Sequence, residues 1–432
     1  EPRNWWRSHT RLCQWQNTVA HAGSNALKVA LEFEIPRIER LNTRHGRPED
    51  GLEVEPTQLG VFQADYPLER ARFAVAAPMQ TVVPANLRLE GALEGWAACG
   101  LVGWDHARWI PLINAHDRYG RLRGAAAAML RHYAGTWTGS SWAYMGVTNR
   151  DLFASAEPGM ISAFVSMIDA LARDTYFISL TPDRGSYEQG EAVKLFAPVF
   201  NGGRQTRELR VTLELFAGEP DDLESAASAS PANSTAQSAR RSLTNFSFTV
   251  QTPARHTNVV TFQWQPPRFT ADFFHSVAHL WDGTNELDRI ESGFIVRDAQ
   301  AVASGPKLNY RDNYLHFGER PLFLFGTDDW SYVFNTARET PLQWLRDMRQ
   351  RRDLGVQIYE NLQIGLPRSP THQAEFFRKV DGVIQLAQKY GQVYFPGLLV
   401  GYNAAASDAE LAAQRAYCGD FARQYAKTPG LI

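Results

Sequence analysis

Hydrophobic and polar positions alternate along the middle of the chain, and this alternation predicts β-strands. The runs are rich in β-branched and aromatic residues, and turn signals such as Asn201-Gly202-Gly203 and Asp282-Gly283 separate them. The predicted strands are residues 192–200, 209–216, 243–250 and 259–264. Short alternating strands of this kind are typical of two packed antiparallel sheets. We therefore predict an immunoglobulin-like β-sandwich over residues 175–298.

After residue 308 short apolar runs alternate with amphipathic helical patterns. Strands are predicted at 322–326, 356–361 and 393–402, and helices at 341–354, 372–390 and 408–427. Gly355 and Gly391 end the first two helices, Ser407 is placed to cap the third, and residues 429–432 predict the start of a fourth strand. Residues 299–432 are thus predicted to form the first three βα units of a (β/α)₈ TIM barrel. Because an open parallel sheet exposes its edge, we expect a C-terminal continuation or a second chain to complete the barrel.

The pattern of residues 1–174 is less regular, and we predict an α/β domain there. Residues 107–113 indicate a strand, 120–133 fit either a returning strand or a small-residue helix, and 156–172 show helical spacing of apolar positions. The fold class predicted for the whole chain is therefore multidomain, with an α/β unit, an all-β sandwich and the first part of a barrel. A Ser- and Ala-rich stretch at 218–241 lacks any apolar period and predicts an exposed loop within the sandwich.

Composition and charge exclude several classes of function. Lys and Arg number 44 against 46 Asp and Glu, a net charge of −2, so no positive field would attract nucleic acid. Apolar runs such as residues 124–130 are shorter than the ~20 residues of a membrane-spanning helix. The 12 Trp, 15 Tyr and 24 Phe supply aromatic faces that could fill cores or stack on sugar rings.

Motifs for cofactor or metal chemistry are not apparent in the sequence. Neither a phosphate loop nor a GxGxxG sequence occurs, and Ser140-Ser141 does not lie in a complete Gly-x-Ser-x-Gly nucleophile elbow. The three cysteines form no CxxC pair, and the spacing of His106, His116 and His132 does not match a metal-ligand pattern. We therefore expect no cofactor and no metal site.

Several segments resemble parts of known carbohydrate-active enzymes. The sequence GERPLFLFGTDDW at 318–330 resembles the approach to the catalytic barrel of clan A glycoside hydrolases, and residues 417–432 are similar to the helix and turn before its fourth strand. Residues 179–191 resemble the first strand and turn of sandwich modules beside such barrels, although any secreted sandwich could carry them. Residues 108–153 look like the closing strands of glutamine-amidotransferase-like domains, but no Gly-x-Cys-x-Gly nucleophile is present.

This resemblance implies a glycoside hydrolase that cleaves an oligo- or polysaccharide by a two-carboxylate retaining mechanism. The clan places its carboxylates after the fourth and seventh strands, so the catalytic residues are unknown and expected beyond Ile432. The alternative is a non-catalytic carbohydrate-binding or scaffold protein, and a third possibility is an amidotransferase-like hydrolase. Sandwich-and-barrel enzymes of this kind usually work outside the cytoplasm, so we expect an extracytoplasmic location.

Candidate ligand-facing residues follow the predicted strands, because barrel active sites lie at the carboxyl ends of the strands. They are Asp328, Asp329, Trp330, Glu360, Asn361, Tyr402 and Asn403. Carboxylates and amides can bind sugar hydroxyls, and Trp330 or Tyr402 could stack on a sugar ring. Asp328 and Asp329 could equally cap a turn, whereas for Glu360 the ligand-facing role is favoured over an ion pair with an arginine. We expect Glu360 to point into the barrel mouth rather than into the helical layer.

Overall fold

The computed structural model describes part of the chain in several stretches. They are residues 72–75, 107–116, 122–133, 139, 141–145, 165, 168–220, 242–304, 307–322, 326–330, 340–353, 355–362, 370–399 and 407–431. Most of the predicted loop at 218–241, together with Tyr402 and Asn403, lies outside the described residues.

The first described elements form an antiparallel sheet in the N-terminal region. Its strands are β1 (Arg72–Val75), β2 (Ala107–His116), β3 (Leu122–His132) and β4 (Ser141–Met145), in the order β1-β2-β3-β4. The small-residue segment for which the sequence allowed two structures is therefore a strand: Ala127 pairs with Met145 on one side and Ile113 on the other. Residues 168–172 are helical. The α/β unit and its likeness to amidotransferase domains gain no support from this sheet and stay predictions.

Two facing sheets follow in the chain. Their strands are β5 (Thr175–Phe177), β6 (Thr181–Pro182), β7 (Ser186–Tyr187), β8 (Val193–Asn201), β9 (Arg207–Ala217), β10 (Thr244–Thr252), β11 (His256–Trp264), β12 (Phe273–Asp282) and β13 (Asn285–Val296). One sheet has the order β10-β9-β12-β13-β7, and the other has the order β11-β8-β5 with β6 also paired to β8. All four strands predicted from alternation are confirmed. The immunoglobulin-like topology stays a prediction.

Alternate residues of the sandwich strands make its core. On β9, Leu209, Val211, Leu213 and Leu215 are at most 1% exposed, while the residues between them are not buried. The opposite sheet contributes residues such as Leu195 to the same cluster. Burial of these side chains between the sheets stabilises the sandwich by about 1.5–3 kcal/mol for each large apolar residue.

The last part of the chain begins with a short helix and a hairpin sheet. Helix α1 (Ala299–Ser304) precedes strands β14 (Leu308–Arg311), β15 (Tyr314–Phe317) and β16 (Arg320–Pro321). The turn residues Asp312 and Asn313 have φ values of 52° and 65°, as a tight two-residue hairpin turn requires.

Parallel strands and helices then alternate. The elements are β17 (Gly326–Trp330), α2 (Pro341–Asp353), β18 (Ile358–Leu362), α3 (Pro370–Lys389), β19 (Val393–Gly397) and α4 (Asp408–Tyr425). The sheet has the order β17-β18-β19, and Leu431 makes a parallel bridge to Tyr394. This bridge agrees with the predicted start of a fourth strand beside the third. Closure into an eight-stranded barrel stays a prediction.

The three predicted helices and their end signals are confirmed. Gly355 and Gly391 adopt φ values of 78° and 68° just after α2 and α3, a backbone conformation that favours glycine. The Ser407 hydroxyl accepts a hydrogen bond of 3.2 Å from the backbone nitrogen of Glu410, which caps α4.

The bounds predicted for the parallel strands were wrong. Leu322 lies before the first strand, which begins at Gly326, and the second strand begins at Ile358 instead of Val356. Apolar runs mark buried backbone, but hydrogen-bonded pairing of Gly326 with Ile358 and of Ile358 with Val393 sets where each strand begins. Residues predicted to follow the first two strands therefore lie inside them: Asp328, Asp329, Trp330, Glu360 and Asn361.

Candidate functional site on the parallel sheet

One face of the parallel sheet is covered by helices. Tyr359 of β18 and Tyr394 of β19 are in register, their rings stack at 5.9 Å, and both are at most 1% exposed. They belong to a single core cluster with residues of all three helices, including Leu345, Val383 and Phe421. Burial raises the pKa of the Tyr394 hydroxyl far above its ordinary value, so it stays protonated and neutral.

The next residue along each strand lies on the opposite face, because side chains alternate along a β-strand. Glu360 and Phe395 are in register there. Glu360 is half-buried and is not an unpaired carboxylate, whereas Phe395 keeps 40% of its surface exposed. The register thus sets a carboxylate beside a partly exposed aromatic ring, on the face away from the helices.

The amino end of that same face is apolar and covered. Val393 is fully buried and packs against Phe317 and Leu322, which belong to the segment around the hairpin sheet. Leu308 and Leu315 of the hairpin are packed against this small cluster. The hairpin therefore covers the end of the face where the strands begin, and Glu360 and Phe395 lie two residues further along.

The sheet register brings several of the predicted site residues together at the level of the backbone. Asp328 pairs with Glu360, and Asp329 pairs with Asn361. Trp330 pairs with Leu362. The side chains of Asp328, Asp329, Trp330 and Asn361 are not among those that the structure describes. The part that these residues and Glu360 play in ligand binding stays a prediction.

Phe395 is a candidate site residue that sequence reasoning missed. It lies inside the apolar run that predicted the third strand, where an aromatic residue is expected to be buried. Counting alternate positions from Val393 would have placed Phe395 on the same face as Val393, but the register with Glu360 depends on strand pairing. A carboxylate accepts hydrogen bonds from hydroxyl groups, and an aromatic face packs on the apolar face of a sugar ring.

The described residues offer no group of three or more His, Cys, Asp and Glu that could hold a metal ion. His116 and His132 were not expected to bind a metal. His132 pairs with Ala107 at the start of β2, and His116 is the last residue of that strand, so the two histidines lie at opposite ends of it. Over the stretches that the structure describes, no helix is both long and apolar enough to cross a membrane.

Neither a protein-family model nor a curated protein sequence matches this chain. Among solved structures, Bacteroides uniformis beta-glucuronidase 2 aligns at 13% identity with a TM-score of 0.26, over 60% of this chain and 28% of its own length. A putative beta-galactosidase from Bacteroides fragilis aligns at 10% identity with a TM-score of 0.24, over 60% of this chain and 34% of its own length. A Paenibacillus cycloisomaltooligosaccharide glucanotransferase aligns at 13% identity with a TM-score of 0.23, over 50% of this chain and 27% of its own length. The chain thus spans about a third or less of the length of these proteins.

Proposed function

We propose that this chain is part of a glycoside hydrolase that acts on an oligo- or polysaccharide, with the parallel sheet belonging to a (β/α)₈ barrel. The observation that carries the proposal is the order of the strands: β17, β18, β19 and the first paired residue of the next segment are sequential neighbours. In the common doubly wound orders the first four strands do not lie side by side in chain order, because either the fourth strand or the third lies beside the first. Here Leu431 pairs beside β19, as in a barrel whose strands follow one another around a circle.

The arrangement of the two faces supports the same proposal. All three long helices pack on the face that carries Tyr359 and Tyr394, as the outer layer of a barrel does. The other face would then be the barrel interior, closed by the hairpin at its amino end. Ligands of such barrels bind toward the carboxyl ends of the strands, and in this proposal Glu360 and Phe395 contact the sugar from β18 and β19.

In this proposal Glu360 accepts hydrogen bonds from sugar hydroxyls, and Phe395 packs against a ring face. The retaining mechanism needs two carboxylates about 5–5.5 Å apart. Clan A enzymes place them after the fourth and seventh strands, so we assign no catalytic residue among those described. The barrel would be completed by further residues or by a second chain, and we place the enzyme outside the cytoplasm.

The first test is sugar binding by the chain itself. Affinity electrophoresis in gels containing soluble xylan, mannan or mixed-linkage β-glucan should retard the wild-type protein in at least one gel. Glu360→Gln should weaken the retained interaction roughly 10- to 100-fold, because a hydrogen bond to a charged group contributes about 1.5–3 kcal/mol. The melting temperature should stay nearly unchanged.

The matched control is Glu375→Gln, which alters an exposed glutamate on α3. It should leave sugar binding unchanged, while any change in melting temperature reflects the loss of its charge interaction with the largely buried Lys379 of the same helix. If Glu360→Gln instead lowers stability by about 1–3 kcal/mol with sugar binding intact, Glu360 is a structural ion-pair partner and the binding role is wrong. Release of reducing sugar by the natural protein then separates an enzyme from a non-catalytic binder, which would bind without turnover.

A further inference from the structure

We propose that two carboxylates of the sandwich, the buried Glu291 and the largely buried Glu219, are positioning residues for strand β18. They bind helices α2 and α3, which flank β18 in the chain, and so fix how the strand that carries Glu360 sits in the sheet. The contacts that hold α2 and α3 do not depend on what the protein binds. The consequence of this inference for sugar binding rests on the proposed function.

Glu291 lies on β13 and holds helix α2. Its side chain is only 2% exposed, and its Oε2 atom lies 2.8 Å from Nε2 of His275 on the neighbouring strand β12. Its other carboxylate oxygen is paired with the Arg346 guanidinium of α2. Burial alone would raise the pKa of Glu291, but Arg346 and His275 together hold that pKa below its ordinary value. The carboxylate therefore stays charged, and removing its charge would leave Arg346 without this partner.

Glu219 follows β9 and holds both helices at once. Arg349 of α2 donates from Nη2 to its Oε2 at 2.6 Å, and the Tyr390 hydroxyl donates to the same oxygen at 2.6 Å. The Nζ atom of Lys389, the last residue of α3, lies 2.8 Å from the Oε1 atom. Arg346 and Arg349 are three residues apart, so they project from one side of α2 toward the sandwich. A single carboxylate from the sandwich thus connects the ends of two helices.

Apolar packing joins the same elements but does not fix their angle. Phe273 and Ile295 of the sandwich are 1% and 0% exposed, and they pack in one cluster with Leu342 of α2 and Val383 of α3. Such contacts are non-directional, whereas charge-assisted hydrogen bonds hold donor and acceptor in a defined geometry. The two carboxylates therefore supply the orientation that the apolar cluster lacks.

Helix α2 is connected to β18 by a short segment and by a side-chain contact. Only four residues separate the end of α2 at Asp353 from the start of β18 at Ile358. In the last turn of α2, the Arg351 guanidinium lies 4.9 Å from the centre of the Tyr359 ring, and Tyr359 directly precedes Glu360. In this proposal a change in the tilt of α2 is passed through these two connections to the backbone at Tyr359 and Glu360.

Amide hydrogen exchange of the full chain, followed by mass spectrometry, tests this inference without any sugar. Glu219→Gln and Glu291→Gln should each speed exchange in peptides that cover Ile358–Leu362 by about fivefold or more. Exchange in Leu209–Leu215, the interior of the sandwich strand β9, should stay unchanged. A role confined to overall stability would speed exchange everywhere by the same factor, and that result would overturn the positioning role.

The matched control is Glu208→Gln, since Glu208 is an exposed sandwich glutamate whose carboxylate contacts Gln251 rather than a helix. It should leave β18 exchange unchanged. If Glu291→Gln fails to fold, Arg346→Lys gives a milder test, because lysine keeps the charge but loses the planar fork. It should speed exchange in the same β18 peptides, and an unchanged pattern in this variant would also overturn the inference.

Sugar affinity separates failure of this inference from failure of the proposed function. If the wild-type chain is retarded by none of the three polysaccharides while the exchange pattern appears, the positioning role holds and the proposed function fails. If a polysaccharide binds and β18 exchange is unaffected by both variants, the positioning role fails alone. When both proposals hold, Glu219→Gln and Glu291→Gln weaken sugar binding at temperatures where the proteins are fully folded.

Discussion

Replacing Gly185 with alanine should destabilise the protein, because the sandwich and helix α3 are in contact at this residue without room for a methyl group. A Cβ atom at residue 185 would lie 2.8 Å from Cα and 2.7 Å from Cγ of Lys379. The Cγ atom could move with its side chain, but the Cα atom belongs to the helix backbone. Ordinary carbon contacts lie at about 3.5–4.0 Å, so the backbones would have to part by at least roughly 0.7 Å.

The free-energy cost follows from two contributions. Overpacking of a close contact costs about 1–3 kcal/mol. The adjacent Ser186 hydroxyl donates a hydrogen bond of 2.7 Å to the Arg378 carbonyl, and a separation of this size would weaken that bond, which is worth about 1 kcal/mol. We expect Gly185→Ala to lower the free energy of unfolding by about 2–4 kcal/mol in total. The residue does not need glycine for its backbone conformation, since its φ is not positive.

Thermal and urea unfolding of the variant provide the assay, with Gly419→Ala as the matched control. Gly419 lies in α4 with no heavy atom near its would-be Cβ, so alanine there should stabilise the protein by about 0.5–1 kcal/mol. The unfolding midpoint should therefore fall for Gly185→Ala and rise for Gly419→Ala. An unfolding midpoint for Gly185→Ala that matches or exceeds the wild type would refute the close approach of the sandwich to α3.

Two further predictions concern the core and the response to acid. Phe274→Ala should lower stability by about 3–5 kcal/mol, because Phe274 is fully buried and stacks on Phe294 at 5.1 Å; the 40% exposed Phe248 should tolerate alanine far better in the same unfolding assay. Burial raises the pKa of Asp381 above its ordinary 3.8 despite Arg297 Nε at 3.1 Å. The folded state therefore binds this proton at a higher pH than the unfolded chain does, and acidification toward 3.8 stabilises the wild type relative to Asp381→Asn. The urea midpoints of both proteins, measured between about pH 7 and 4, test this pH dependence. If the wild type instead loses stability relative to Asp381→Asn as the pH falls, the prediction is wrong.

The sequence alone predicted strands β8 to β11 of the sandwich and helices α2 to α4. Alternation on β9 and the glycine after α2 are local signals, because one-sided burial and helix ends leave a mark within a few residues. Ser407 was assigned as a helix cap for the same reason, and its hydroxyl occupies that position. The sequence allowed either a strand or a helix at residues 120–133, because small residues fit both. The segment forms a strand because it pairs with β2 and β4.

Only the tertiary structure decided the register of the parallel strands and the contacts between sandwich and helices. The neighbourhood of Glu360 and Phe395 depends on which residues pair across β18 and β19, and strand periodicity carries no information about pairing between strands. The sequence predicted that Glu219 begins a polar loop. In the structure it binds Arg349 and Tyr390, which lie 130 and 171 residues further along the chain. A charged residue is buried only where distant groups compensate for its lost hydration, and the folded chain alone brings those groups together.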